Sequence, residues 1–562
     1  MIATSSTTVA EAVTSVAPLP AYDGDPLDDR AATIWSWRFV WLGLAVRVLR
    51  YLTVFPLWQD EQLVALNISF RDYAGLLKPL DLHQVAPLGF LLGTKWLTQT
   101  FGFNEYTLRG LALVCGCGGL LLFRSLAAQL LRRTALVSAV AVFALAYFPI
   151  RHSAEVKPYA CDLFCAVLLL RLAVWWRQNP TKLAPPLALI AATIATLPFS
   201  FPAIFVVGGI SIAMLPSVLR RREARYFATY VVFNLAALAV FGGLLRLAVN
   251  EHFEAATTDD FMYSYWDGSF PPPLAQSLKE LWAWPWWFIN VHAGEGMAYP
   301  IGSKKFGSVV STILALVGVF VMLRRGRTWL STVTATTLGL GLIAAALGRY
   351  PYGHGERLQQ YWAPFICCLM GAGIAAGIAC SPLAIVRRRG ATAMIAIFIL
   401  LGLVWGAETQ LRPYKHRYDR EHQGFSRWFW RLGSNGAPQL CLTGDFGRPL
   451  FQIDRQKSYL VYRDLSRRVP TTQRERLAAV PSGVPIEAIA FTLEGEPLHS
   501  APLNGWKAAM EKEYRLVDER QYTVMIDDKP GKRAIYHVWR WEPLSPQSRP
   551  ESAASFEPYP IY

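Results

Sequence analysis

Long apolar segments are the feature that most constrains how this chain can fold. Residues 134–149 and 391–406 contain no charged residue, and similar segments recur over the first 410 or so positions. Apolar stretches of about 20 residues match the hydrocarbon thickness of a bilayer. The sequence therefore predicts an all-α polytopic membrane protein and excludes soluble enzymes over this part of the chain.

The apolar segments divide the chain into a lead, a membrane domain and a tail. We predict a disordered cytoplasmic lead (1–33), a transmembrane domain (34–408) with large outer loops at 58–105 and 250–305, and a small extracytoplasmic α/β domain (409–562). About eleven transmembrane helices can be drawn. They cover residues 34–57, 106–130, 134–150, 159–176, 184–200, 202–219, 226–248, 306–323, 328–348, 358–379 and 391–408.

The basic residues indicate the orientation of these helices. Five short basic clusters between the apolar segments fall on one side of the predicted topology, which the positive-inside rule assigns to the cytoplasm. We expect a multi-pass protein of the cell's inner (plasma) membrane, with a cytoplasmic N-terminus and an extracytoplasmic C-terminal domain. The net charge of +15 is accounted for by topology, so we expect no nucleic-acid partner. The clusters are Arg132–Arg133, Arg177 with Lys182, Arg220–Arg225, Arg324–Arg327 and Arg387–Arg389.

An acidic pair, Asp60 and Glu61, directly follows the first predicted span. A carboxylate at the boundary between water and lipid could act as a general base toward an acceptor hydroxyl or amine. The alternative is that both are solvated loop charges. His83 and Gln84 lie in the same outer loop. His83 could be an acid/base group, a loop histidine, or a metal ligand together with the two carboxylates.

Several cations are predicted on the outer side, where the positive-inside rule expects few. An anionic ligand, above all a phosphate, would account for them, whereas the alternative is snorkelling to ordinary anionic lipid. Arg109, near the outer end of the second span, has the same two interpretations. The cations nearest to other polar groups are Arg151 and Lys157, which flank Glu155 and precede Tyr159, and Arg349 and Arg357, which precede Tyr361.

The order of these motifs resembles that of the GT-C glycosyltransferases, and more narrowly the bacterial protein O-mannosyltransferase and aminoarabinose transferase group. The resemblance covers residues 34–410 and leaves the tail unmatched. The motifs that carry it are Trp58–Glu61, Gln84–Gly89, Glu155–Tyr159, and Gly355–Arg357 with Tyr361 and Pro364.

The resemblance implies an enzyme that transfers a sugar from a polyprenyl-phosphate donor on the outer face of the membrane. The acceptor could be a protein, a lipid or a glycan. Asp60 matches the family's catalytic base, with Glu61 second, and Lys157 matches the cation on the donor phosphate. Arg357, Arg349 and Arg151 are further phosphate candidates. The remaining substrate-binding candidates are His83, Gln84, Glu155, Tyr159 and Tyr361.

The chemistry of the expected reaction needs few groups. Phosphate is a good leaving group, so direct inversion requires one carboxylate base and cations that stabilise the departing phosphate. We therefore expect no cofactor and do not favour a metal. Two other classes remain: a transporter or flippase of a lipid-linked substrate, and a non-catalytic membrane assembly protein. Transporters place polar residues near the membrane midplane, whereas most polar residues here crowd the outer boundary.

Overall fold

The computed structural model describes most of the helical region and part of the tail. The described residues are 18–80, 84–249, 265–273, 282–301, 306–353, 355–414, 417–431, 439–441, 485–494, 507–508, 510–525 and 533–544.

Helices dominate the described part of the chain. The first eight are α1 (Asp29–Leu52), α2 (Gln59–Phe70), α3 (Leu88–Phe101), α4 (Glu105–Leu130), α5 (Arg133–Ala144), α6 (Tyr147–His152), α7 (Tyr159–Gln178) and α8 (Ala184–Thr196). The next eight are α9 (Ala203–Arg221), α10 (Ala224–Leu244), α11 (Ala283–Ile289), α12 (Phe306–Arg324), α13 (Thr328–Ala346), α14 (Ala363–Ala379), α15 (Ala384–Leu411) and α16 (Arg417–Arg431).

Eight of the described helices are long and apolar enough to cross a membrane. They correspond to α4, α7, α9, α10, α12, α13, α14 and α15. This confirms the predicted multi-pass helical architecture. The three other predicted spans coincide with α1, with the pair α5 and α6, and with α8, so the number eleven stays a prediction.

Arg47 explains how α1 and α5 fit together inside the apolar region. The Arg47 side chain is fully buried, and its Nη1 donates to the carbonyl oxygens of Gly43 (3.0 Å) and Ala144 (2.7 Å). Ala144 is the last residue of α5, where helix carbonyls lose their own partners. The guanidinium therefore stabilises the break between α5 and α6, because unpaired carbonyl groups there would be unfavourable in an apolar environment.

Residues 18–28 pack across one end of the helix bundle. The Tyr22 hydroxyl donates to Ala372 O (3.3 Å), the Arg325 guanidinium lies over the Tyr22 ring (4.0 Å), and Arg387 Nε donates to Gly24 O (2.9 Å). Two predicted cytoplasmic clusters thus meet the N-terminal segment at the same end. The described part of the predicted lead packs against the helices here, and α1 begins at Asp29, whereas the first span was predicted to begin at 34. Residues 1–17 lie outside the described residues.

The described part of the tail forms a four-stranded sheet with one helix packed on it. Strand order is β1 (Gln439–Cys441), β2 (Ile486–Leu493), β4 (Arg533–Pro543) and β3 (Tyr514–Met525), with β1 parallel to β2 and the other pairs antiparallel. The ring of Phe425 in α16 stacks on Tyr536 of β4 at 3.7 Å. This confirms a small α/β tail. Short apolar runs at 439–443, 488–492 and 534–539 predict strands and coincide with β1, β2 and β4, whereas the run at 458–462 lies outside the described residues. A helix is predicted near 506–514, and Lys507, Ala508 and Met510 are helical in the structure. The sequence did not predict β3, which begins at Tyr514.

The tail docks on the helix that follows the first span. Leu66 of α2 is buried in the same apolar cluster as Phe425, Phe429 and Val524. A polar contact adds to it, because Gln423 Nε2 donates to Glu105 Oε1 at the start of α4 (3.3 Å). Sheet and membrane domain are therefore in direct contact through α2.

Candidate functional site

The site is built around the first turn of α2. Trp58 precedes the helix in an extended conformation, and its backbone N–H donates to the Glu61 carboxylate (Oε2, 3.1 Å). A carboxylate at this position caps the helix start and complements its dipole. This local geometry fixes where the neighbouring Asp60 projects.

Glu61 is fully buried, and both of its carboxylate oxygens accept hydrogen bonds. Its two oxygens accept from Arg109 Nε (3.2 Å) and Nη2 (3.1 Å), and Oε1 also accepts the backbone N–H of Val156 (2.7 Å). Arg109 is 1% exposed and also donates to the carbonyl oxygens of Phe55 and Pro56. With the Trp58 contact, both Glu61 oxygens carry two hydrogen bonds each. Glu61 therefore holds together the α1–α2 connection, α4 and the segment before Lys157.

Asp60 is the accessible member of the acidic pair. Its side chain is 28% exposed, and its Oδ2 accepts from Arg357 Nη1 at 3.1 Å. Arg357 itself is 18% exposed and lies over the ring of Trp266 (4.7 Å), while its Nη2 donates to the Tyr265 hydroxyl (2.9 Å). The structure thus brings together two predicted site residues that are 297 positions apart.

Glycines allow the segment before Arg357 to approach its neighbours. Gly353 has φ +85, a conformation that side chains rarely adopt, and a Cβ there would lie 1.9 Å from Val291 Cγ1. A Cβ on Gly355 would lie 2.7 Å from the Trp266 ring. The two glycines therefore let this loop close against the elements that position Arg357.

Lys157 lies beside the same charges. Its Nζ donates to Gln84 Oε1 (3.0 Å), and the residue is 7% exposed. Burial lowers the pKa of Lys157, and the carboxylate of Asp60 opposes this shift by raising it. The ammonium also interacts electrostatically with Arg357. Asp60, Lys157 and Arg357 therefore form one cluster near the N-terminal ends of α2, α7 and α14, which we call the charged cluster.

Glu155 is held by residues one turn earlier. Arg151 Nε donates to Oε1 (2.7 Å), and His152 Nδ1 lies 2.8 Å from Oε2. Burial would raise the pKa of Glu155, but His152 and Arg151 hold it well below its usual range. Burial lowers the pKa of His152, which Glu155 opposes. Arg151 is thus engaged with Glu155, at the edge of the charged cluster.

The other predicted site residues lie at different distances from the charged cluster. Tyr159 is 7% exposed and interacts electrostatically with Arg357 and Asp60. Tyr361 is fully buried, and its ring lies 6.0 Å from that of Phe205. Arg349 is exposed. His83 lies outside the described residues, so its role stays a prediction.

Three contacts of the site were not predicted from the sequence. The sequence gives Arg109 two interpretations, as a cation that binds phosphate or as a residue that snorkels to lipid. The structure instead pairs it with Glu61. Tyr265 and Trp266, in the second outer loop, contact Arg357. The Arg151–Glu155 contact joins residues four apart, but Glu155 lies beyond the end of α6 at His152.

The described residues contain no group of three or more His, Cys, Asp or Glu side chains that could hold a metal ion. The Asp60, Glu61 and His83 combination considered from the sequence includes a residue outside the described part. The absence of a cofactor and of a metal requirement therefore stays a prediction.

Comparison with known proteins rests on structure. No protein-family model and no curated protein sequence matches this chain. The fold is similar to that of ArnT from Cupriavidus metallidurans bound to undecaprenyl phosphate, with 14% identity over 90% of this chain and 98% of that chain and a TM-score of 0.52.

A second similarity is to the archaeal oligosaccharyltransferase AglB from Archaeoglobus fulgidus in complex with an inhibitory peptide and a dolichol-phosphate. The identity is 12% over 76% of this chain and 64% of that chain, with a TM-score of 0.43. ArnT, the aminoarabinose transferase, and AglB are both GT-C proteins. The similarity to ArnT covers nearly the whole chain, and it confirms that the protein has the GT-C fold that the order of its motifs resembled.

Proposed function

We propose that this protein is a membrane glycosyltransferase that transfers a sugar from a polyprenyl-phosphate donor to an acceptor on the outer face of the membrane. The observation that carries the proposal is the Asp60–Arg357 contact beside Lys157. One carboxylate and two cations are the groups that an inverting transfer from a lipid phosphate requires. The bound lipid of ArnT supports a polyprenyl-phosphate ligand for the shared fold.

Binding of the donor would change the partners within the charged cluster. In the structure, Arg357 Nη1 lies 3.1 Å from Asp60 Oδ2 and neutralises its charge. A donor phosphate between Arg357 and Lys157 competes for the guanidinium, because charge-assisted contacts to phosphate are strong. Asp60 then loses a hydrogen bond and is left as a free acceptor. Donor binding thus exposes the base at the moment it is needed.

The transfer is a single displacement. The acceptor oxygen or nitrogen attacks the anomeric carbon of the sugar while the bond from that carbon to the phosphate oxygen breaks. The bonding electron pair goes to the phosphate oxygen, and the acceptor proton goes to Asp60. The configuration at the anomeric carbon inverts. Lys157 and Arg357 stabilise the charge that develops on the phosphate.

Glu61 does not serve as the base in this proposal. Its oxygens already accept four hydrogen bonds, including two from Arg109, so no lone pair faces an acceptor. We assign it the positioning of Asp60 and of the segment that leads to Lys157. Arg151, held by Glu155, and the exposed Arg349 would then lie at the periphery of the phosphate site.

The orientation belongs to the same proposal. The end of the bundle where residues 18–28 meet Arg325 and Arg387 is the cytoplasmic end, by the positive-inside rule. The charged cluster and the tail then face the outside of the cell's inner membrane. The acceptor, whether protein, lipid or glycan, would approach between the tail and the second outer loop.

The test is cleavage of the donor. Purified full-length protein would receive a panel of polyprenyl-monophosphate sugars together with solubilised membrane acceptors, and release of free polyprenyl phosphate would be measured. We expect Asp60→Asn to lower the rate by about 100-fold or more. Asp72→Asn is the matched control, because Asp72 is an acid of the same outer loop that caps a turn at Gly75.

Each outcome decides between functions. Loss of release in Asp60→Asn with normal release in Asp72→Asn supports transfer with Asp60 as the base. A donor that binds but is never cleaved by the wild type would replace the proposal with a transporter. If no donor binds, an assembly role would be the better explanation.

A further inference from the structure

Asp162 is an acidic residue inside a membrane helix that the proposed reaction does not use. It lies in the first turn of α7, and its backbone N–H donates to Pro158 O (3.0 Å), one turn inward from Lys157. The residue is 4% exposed, and its Oδ1 has no hydrogen-bond partner among the described residues. An ionisable residue in such a place is costly and usually functional.

Two hydroxyl groups from other parts of the fold share this property. Ser200, in the connection that leads to α9, is fully buried and lies beside the Asp162 carboxyl group. Tyr361, just before α14, is also fully buried. Neither hydroxyl makes a well-formed hydrogen bond among the described residues, although Ser200 interacts with the Asp162 carboxyl group and Tyr361 interacts with Trp362. Burying polar groups without well-formed hydrogen bonds is unfavourable unless something else binds them.

Aromatic rings pack beside Tyr361. Phe205 lies 6.0 Å from the Tyr361 ring and 5.4 Å from the Tyr350 ring. Asp162 interacts electrostatically with Tyr350 and Tyr361. Acid, hydroxyls and aromatic faces together are the side-chain chemistry that fits a neutral, polyhydroxylated ring.

Tyr159 joins this group to the charged cluster. It precedes Asp162 by three positions on α7 and interacts electrostatically with both Asp162 and Asp60. Tyr159 therefore lies within electrostatic range of both the charged cluster and Asp162.

We propose that Asp162, Ser200 and Tyr361 bind hydroxyl groups of the donor sugar and set which sugar the protein accepts. This inference rests on the proposed function, since it takes the phosphate of a polyprenyl-phosphate sugar to lie at the charged cluster. An anion does not suit the site, because none of the three groups carries a positive charge. A cation does not suit it either, because Asp162 is the one carboxylate among the three groups.

The test separates sugar recognition from lipid binding. Binding of sugar-bearing polyprenyl phosphates and of sugarless polyprenyl phosphate to the purified full-length protein would be compared. We expect Ser200→Ala and Tyr361→Phe each to weaken binding of the preferred sugar-bearing lipid by about threefold to tenfold. Binding of the sugarless lipid would not change. The ratio of the affinities for two donors that differ at one hydroxyl would become smaller in these variants.

Matched variants control for packing. Ser138→Ala removes another fully buried serine hydroxyl, but this one donates within its own helix to Thr134 O. Tyr230→Phe removes a tyrosine hydroxyl that contacts Ser211 between α10 and α9, away from the proposed site. Neither should alter the preference among sugars. Asp162→Asn, if it folds, should weaken the binding of sugar-bearing lipids most. If it does not fold, Ser200→Ala and Tyr361→Phe are sufficient to test the inference.

The outcomes distinguish this inference from the proposed function. Equal weakening for both lipids, no effect of the variants, or equal wild-type affinity for both lipids would overturn it. A sugar preference that is lost in the variants, in a protein that never cleaves a donor, would support the sugar site and defeat transfer. Donor cleavage by the wild type, together with a sugar preference that the variants leave unchanged, would support transfer and defeat the sugar site.

Discussion

Glu61 and Arg109 form a bidentate ion pair that is almost completely removed from solvent, with Oε2 and Nη2 3.1 Å apart. Breaking such a pair leaves a charge buried without compensation, which costs about 3–5 kcal/mol. We expect Glu61→Ala to lower the free energy of unfolding by that amount, measured by thermal unfolding in detergent.

The control for this prediction is the exposed pair of Arg133 and Asp29, whose side chains are 35% and 68% accessible. Arg133→Ala should change stability by no more than about 1 kcal/mol. Equal losses of stability in the two variants would show that the buried Glu61–Arg109 pair contributes no more to stability than an exposed pair.

Arg357 makes two directed contacts, with Asp60 and with the Tyr265 hydroxyl. A lysine carries one compact ammonium in place of the planar fork, so it cannot reproduce this geometry. We expect Arg357→Lys to lower kcat/KM for the donor by about tenfold or more. Arg349→Lys, an exposed change in the same outer segment, should leave kcat/KM near the wild-type value; a similar fall there would assign the phosphate to Arg349.

Lys157 should limit activity at high pH. Its pKa is lowered by burial, and only the charged ammonium can bind phosphate. As the pH rises through this lowered pKa, the ammonium loses its proton and kcat/KM for the donor should fall. The fall should begin below the pH at which an exposed lysine titrates. Arginine stays protonated, so Lys157→Arg should remove the alkaline decline.

The comparison for this pH profile is Lys78→Arg, because Lys78 is an exposed lysine in the first predicted outer loop. That variant should keep the wild-type alkaline decline. An alkaline decline that persists unchanged in Lys157→Arg would assign it to another group.

Leu66 links α2 to the tail, where it packs with Phe425 and Phe429. Removing its side chain should leave a cavity at this contact, and buried Leu→Ala changes cost about 2–5 kcal/mol. We expect Leu66→Ala to make the tail more sensitive to limited proteolysis. Leu63→Ala, a change of similar burial on the same helix outside that cluster, should not.

The sequence predicted the architecture because its strongest signals are local. Apolar segments and the basic clusters between them are sufficient for a multi-pass helical fold. Asp60, Lys157 and Arg357 each lie near a predicted outer span end. Any bundle that closes with those ends together brings the three into one region.

Pairing within the site could not be read from the sequence. Glu61 and Arg109 are 48 positions apart, and nothing in their spacing tells a buried partner from a second base. Strand β3 was missed for a different reason. It lies at the edge of the sheet, where the charged residues 518–520 face solvent and interrupt the apolar alternation that marks a strand.

The contact of Asp60 with Arg357 also has a consequence for biosynthesis. Asp60 follows the first helix to be made, whereas Arg357 comes just before α14, 297 residues later. A nascent chain therefore carries the carboxylate without its counter-charge through most of its insertion into the membrane. The charged cluster forms only when the late helices join the bundle, so a chain truncated before Arg357 lacks both a completed site and its closing contact.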